Sequence, residues 1–296
     1  MTIEELSRLP WSRPRESAPD WLLGCFRRRS ITFFNGASDT STQVYWLQAR
    51  GICADFRSQP GQSVETFEGG IGSTVWNGHI MRWFNWTTFQ IHDKWAEPGV
   101  LKRVGDCVIE FAPSGAYVED WRLQPSRPGP VVGLRLLREW DVDRGSLTHS
   151  GGGLIVCGDH AALVRGRTRN LHGIGRLSEI ASSNDADLLK DLFAFEASYA
   201  VLDGSYGYKV QLSTDPSLAG KSLSVSDGFT YDPNTQLVSQ HVSQGGAALE
   251  RLFSIDTLEP HMVFSGATSV DAETEEWLAR ESDTLLAFVS VPADFR

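Results

Sequence analysis

The chain has 296 residues, enough for one large domain or two ordinary ones, and its 41% hydrophobic and 22% charged residues match a soluble globule. A formal net charge of −10 leaves no basic footprint for nucleic acid, and no run approaches the ~18 consecutive apolar residues of a membrane helix. Four cysteines (Cys25, Cys53, Cys107 and Cys157) lie far apart with no CxxC and no zinc spacing, which predicts free thiols, no metal site and a cytoplasmic protein.

Residues 1–20 read as a polar arm with one helical turn at 2–8 and no apolar core of a secretory signal. From residue 21, short runs follow one another as strands: GCFRRRSITFF, QVYWLQARGICADFR, SVETFEGGIGSTVW, HIMRWFNWTTFQI, VLKRVGDCVIEF, AYVEDWRL, VVGLRLLREW and GLIVCGDHAALVRGR. Gly, Pro, Asn and Ser clusters separate them, and no helix intervenes. This predicts an antiparallel barrel domain over 21–175. GGIG at 69–72 and GGG at 151–153 lead into strands rather than helix N-termini, so they read as bends or bulges rather than nucleotide loops.

Residues 176–193 break the pattern. Asp185 and Asp187 precede Leu188, Leu189 and Leu192, which predicts a helix near 185–193 and a domain join near 168–192. Strand-like text then resumes, followed by a helix near 270–282 around Trp277 that is expected to plug or lid a second barrel, and a closing strand at TLLAFVSVP. Residues 176–296 therefore read as a second, smaller barrel. The expected fold is mainly β: two antiparallel barrel domains in tandem with a few short helices.

Two blocks carry a family resemblance. VGDCVIEFAPSGAYVEDWRL at 104–123 places Glu119 two before Trp121, and GGGLIVCGDHAALVRGR at 151–167 contains Ile155-Val156 and Gly158. Together they resemble the Hri1-type proteins, in which an acidic residue two before a tryptophan is followed by an IVxG strand. After Gly158 this chain carries Asp159-His160, where that family carries a basic residue and a tryptophan. The resemblance implies two lipocalin-like barrels in one chain and implies no particular activity.

The stretch Trp76–Trp95 is the richest in chemistry, and nine of the ten tryptophans precede residue 150. Rigid indoles suit either the walls of a ligand pocket or a thick aromatic core. Period-two alternation puts Tyr117, Glu119 and Trp121 on one strand face, so Glu119 reads as an inward acid or base with a raised pKa. Its bland alternative is an ion pair with a neighbouring arginine. Arg82, grouped with Ile80, Phe84 and Trp86, reads as an anion-recognising group or as that partner. His160 shares a face with Val156-type apolar positions and small residues, and His79 opens the Trp-rich strand. In the RRR run, Arg28 faces away from Arg27 and Arg29. The candidate catalytic residues are thus Glu119, His160 and His79. The candidate binding residues are Arg82, Trp76, Trp83, Trp86, Tyr117 and Trp121.

These features predict that the first barrel holds an aromatic or apolar small molecule. The leading reading is a cofactor-independent acid/base reaction on it, of lyase, dehydratase, isomerase or hydrolase type. A non-catalytic carrier or sensor is the alternative, and an interaction module with filled barrels is the third. No cofactor, nucleic acid or membrane partner is expected, and a homodimer is left open.

Overall fold

A computed structural model describes residues 1–59, 67–91, 97–204 and 206–287. Its strands form two antiparallel sheets. The first contains β1 (Gly24–Phe33), β2 (Ser38–Asp39), β3 (Gln43–Gln48), β4 (Ile52–Ser58), β5 (Glu68–Trp76), β6 (Ile80–Thr88), β7 (Gly99–Val104), β8 (Cys107–Phe111) and β9 (Tyr117–Leu123). Apart from the short flap β2, each strand pairs with the next in the chain. The pairing of β1 with β9, from Phe26↔Leu123 to Phe33↔Tyr117, closes the sheet into an eight-stranded barrel. Local chemistry supports the tight turns. Between β5 and β6, Asn77 Oδ1 accepts the backbone N–H groups of His79 and Ile80 at 3.0 and 2.7 Å, while Gly78 supplies the left-handed φ of 95°.

The second sheet contains β10 (Gly129–Asp141), β11 (Ser146–Ser150), β12 (Gly152–Cys157), β13 (His160–Arg165), β14 (Glu196–Leu202), β15 (Tyr208–Ser213), β16 (Phe229–Asp232), β17 (Leu237–Gln244) and β18 (Ala247–Met262). Its order is β15-β14-β13-β12-β10-β18-β17-β16, with β11 on the end of β10. Among the described residues β15 and β16 do not pair, so this sheet is open, where a second closed barrel was expected. The first sheet ends at Leu123 and the second begins at Gly129. VVGLRLLREW and GLIVCGDHAALVRGR therefore form the middle of the second sheet, and the join expected near 168–192 falls within it, between β13 and β14. Alternating hydropathy marks a strand but not which sheet it joins.

The barrel and the open sheet share a core. Leu47, Ala54, Phe56 and Ile71, on the outer face of β3–β5, pack in one buried cluster with Ile155, Ala162, Val164 and Ala197 of β12–β14. Tyr45 stacks on Tyr199 with ring centroids 4.4 Å apart. Each fully buried side chain of the Leu or Phe class contributes roughly 1.5–3 kcal/mol here. The seam thus stabilises the barrel from outside and relieves its interior of that task.

Helix α1 (Ile3–Leu6) is closed by a capping box between Thr2 and Glu5 and buries Ile3 and Leu6 in the second sheet's core. The predicted arm is therefore docked rather than solvated. Helix α2 (Leu177–Ala181) precedes α3 (Ala186–Phe193), whose N-cap Asp185 accepts from Asp187 and Leu188 backbone N–H, as its acidic start predicts. Helix α4 (Ala272–Leu285) buries no residue, and Trp277 is 48% exposed, so this helix plugs nothing. It also occupies the start of the expected closing strand, the rest of which, from 288 on, lies outside the described residues. All four cysteines are buried and unbridged.

Candidate functional site

Alternation along β3, β4 and β9 turns Trp46, then Cys53, Asp55 and Arg57, then Tyr117, Glu119 and Trp121 into the barrel interior. Two irregularities decide the rest. In β6, Asn85 adopts φ 52°, which shifts the parity of the strand, so Trp83 and Trp86 both line the interior although three residues apart. Arg82 and Phe84 consequently face outward and are exposed, which overturns the expected inward face of Ile80, Arg82, Phe84 and Trp86. In β1 a register shift between Arg28 and Ser30 leaves Arg28 buried at 7% exposure and bonded into the barrel. Of the three consecutive arginines it is the inward one.

These residues enclose a cavity of about 330 Å³ walled by Trp46, Trp83, Trp86 and Trp121. Two glycines make room for the indoles. A Cβ at Gly72 would stand 2.6 Å from the Trp86 ring, and one at Gly99 would stand 2.8 Å from Trp83 and 2.9 Å from Glu110. The strand-to-strand register also shifts between Ile71 and Ser73, so part of the GGIG tract is a bulge, as its context predicts.

The polar centre of the cavity is a pair of carboxyls. Glu110 on β8 is the register partner of Glu119 on β9, and each is 4% exposed. Directly opposed side chains in an antiparallel pair have Cβ atoms ~4.5–5.5 Å apart. Glu119 Oε1 accepts from Arg28 Nη1 at 2.7 Å, and Arg28 Nη2 also donates to Asp39 at 3.0 Å. Glu110 accepts from Tyr117 O–H at 3.3 Å and from Trp121 Nε1–H at 3.2 Å, and has no ion-pair partner among the described residues. Burial, then the neighbouring Glu119 charge, push the Glu110 carboxyl up to about 8, with Arg57 acting against them. Burial also raises Glu119, opposed by Arg57 and Arg28. Glu119 has the Arg28 guanidinium beside it, whereas Glu110 meets only the neutral Tyr117 and Trp121 donors, so of the two carboxyls Glu110 is the one whose surroundings favour the protonated form. Glu110 escapes a hydropathy reading because in β8 the acid is buried while its neighbour Phe111 is exposed. The signal that could have found it is the hairpin register, which pairs it with Glu119 across residues 112–116.

The other predicted residues do not join this centre. His160 lies on β13, in the seam between the sheets. Its Nε2 donates to Pro125 O at 3.0 Å, so Nδ1 accepts the Tyr199 hydroxyl at 2.9 Å, and burial lowers its pKa. Cys25 Sγ completes that chain, 3.8 Å from the Tyr199 oxygen. His79 is exposed on the β5–β6 turn. Trp76 packs edge-on against Trp21 at 5.8 Å, at the far end of β5 from the cavity. Tyr117, Trp83, Trp86 and Trp121 do line the cavity, while His92, Asp93 and Trp95 lie outside the described residues. The described residues contain no group of His, Cys, Asp or Glu arranged to hold a metal ion and no helix long and apolar enough to cross a membrane.

A second buried charge cluster lies in the open sheet. Glu139 accepts from Arg165 Nη1 at 2.9 Å and Arg251 Nε at 2.7 Å, and Arg165 also pairs with Glu196. Two acids balance two guanidiniums there, which suits a structural network.

No protein-family model matches the chain, and no curated protein matches it. Among solved structures, the Myxococcus xanthus hemagglutinin in complex with a3,a6-mannopentaose is similar at a TM-score of 0.24 and 11% identity, over 81% of this chain and 91% of that one. A likeness at that score bears on neither fold nor ligand.

Proposed function

We propose that the first barrel is a lipocalin-like container for a small ring-bearing molecule and that Glu110 and Glu119 move a proton on it. The observation that carries this reading is the pairing of two opposed buried carboxyls with unequal environments inside an indole-walled cavity. Environments that push two acids apart in pKa assign them separate roles: Glu110 gives a proton, and Glu119, ionised beside Arg28, receives one. That division suits elimination, dehydration, isomerisation or hydrolysis, with elimination or isomerisation asking least of the site. Arg28 takes the electrostatic role that the sequence pattern pointed to in Arg82.

The test is tryptophan fluorescence during titration with a panel of aromatic compounds, followed by turnover assays on those that bind. Binding should quench or shift the emission. Glu119→Gln should keep binding and lower turnover by roughly 10²-fold or more. A silent panel would remove the ligand reading, and turnover untouched by Glu119→Gln would leave a carrier.

A further inference from the structure

The charges around the cavity go further and select the kind of ligand, an argument that rests on the cavity being a ligand site. Five carboxyls (Asp39, Asp55, Glu68, Glu110 and Glu119) lie in it or on groups bonded into it, against two guanidiniums. Each guanidinium is taken twice. Arg28 meets Glu119 at 2.7 Å and Asp39 at 3.0 Å, and Arg57 meets Asp55 and Glu68 at 3.2 Å each. Neither is left for an anionic ligand. Glu110 is the remaining acid, 4% exposed, facing the cavity, and without a counter-ion among the described residues. Leaving a carboxylate buried alone is costly, whereas indole rings attract cations through their quadrupole.

We propose that the cavity takes a ring-bearing organic cation, an aromatic ammonium, whose charged nitrogen supplies the counter-ion that Glu110 lacks.

A proton balance follows. The groups facing Glu110 are Glu119 and Tyr117 from β9, Asp55 and Arg57 from β4, Arg28 from β1 and Glu68 from β5; its partner on β7 is the apolar Leu101. Without a cation beside it Glu110 keeps its proton up to about pH 8. A cation requires the carboxylate, so the proton leaves to solvent on binding, and towards such a ligand Glu110 acts as counter-ion rather than as the proton donor of the reaction proposed above. Affinity should therefore rise about tenfold per pH unit up to about 8 and then level off.

Phenyltrimethylammonium, whose charge is fixed at every pH, and its neutral carbon isostere tert-butylbenzene test this on the full chain by tryptophan fluorescence and calorimetry. The cation should bind at least about a hundredfold tighter than the isostere at pH 8 and lose about fiftyfold in affinity by pH 6, with proton release seen as buffer-dependent heat. Glu110→Gln should remove the pH dependence and bring the cation down to the isostere; if that variant does not fold, the pH series on the unaltered chain decides. Equal or tighter binding of the isostere, or a pH-independent cation affinity, overturns the proposal and leaves a neutral-ligand cavity. Binding of neither compound overturns the cavity reading as well.

Discussion

Replacing Glu110 by Gln should stabilise the protein, and by an amount that grows with pH. Folding raises this carboxyl from 4.5 to about 8, so the native state holds its proton more tightly than the unfolded chain does. A group shifted upward contributes its full stability below its unfolded pKa and loses it as the pH climbs through the folded value. At one pKa unit per 1.36 kcal/mol, the acid costs the native state about 1 kcal/mol at pH 5, about 3 at pH 7 and nearly 5 at pH 9. Gln has nearly the shape of the neutral acid. Its oxygen can keep the Trp121 Nε1–H bond, and its NH₂ can donate to the Tyr117 oxygen, so the substitution itself should cost no more than about 1 kcal/mol. Urea unfolding of both proteins at pH 5, 7 and 9 measures the effect of the Glu110–Glu119 pair, because titrating groups remote from it cancel in the difference. The variant should be close to the parent at pH 5 and more stable by roughly 2–3 kcal/mol at pH 7. A difference that does not change with pH would show that Glu110 ionises normally, and the assignment of acid and base would fall with it.

Arg28→Met should destabilise by about 3–5 kcal/mol, since it leaves Glu119 buried without its 2.7 Å partner, and adding Glu119→Gln should restore much of the loss; strictly additive losses would show the pair to be uncoupled. Gly72→Ala drives a methyl to 2.6 Å from the Trp86 ring and should cost about 1–3 kcal/mol with a changed near-UV dichroism spectrum. An unaltered spectrum would place Trp86 elsewhere. Tyr199→Phe removes the donor to His160 and should cost about 1–3 kcal/mol in the same urea assay while leaving ligand titrations of the cavity unchanged. A shifted affinity would instead connect the seam to the site.

Period-two alternation shows the strands of the first half and, because β9 contains no irregularity, the face shared by Tyr117, Glu119 and Trp121; it does not show which strands close the barrel, since β10, β12 and β13 belong to the second sheet. Arg82 falls on the wrong face in a period-two reading because Asn85 enters the left-handed region, and parity carried across that residue fails. The apolar face that holds His160 belongs to β13, whose small residues pack against the outside of the barrel rather than its interior. Partner choice between sheets depends on contacts distant in sequence, which local pattern does not encode. Glu110 required the pairing of two strands rather than the pattern of one.

The position of β10 constrains the order in which the chain can fold. Every strand of the barrel ends by Leu123, so its hydrogen-bonded ladder can close while later residues are still being synthesised, although the seam that packs against it comes afterwards. The open sheet cannot do the same. Strand β10 is hydrogen-bonded to β12 on one side but to β18 on the other, so its second edge stays bare until the last strand has emerged. Through that interval a long, largely apolar edge is available to any other strand it meets. The Met1 and Ile3 backbone bonds to Phe229 and Ser226 must also wait, so residues 1–3 dock only after residues 226–229 are in place. Late closure of this kind leaves the second sheet, rather than the barrel, the more exposed to intermolecular strand pairing during synthesis.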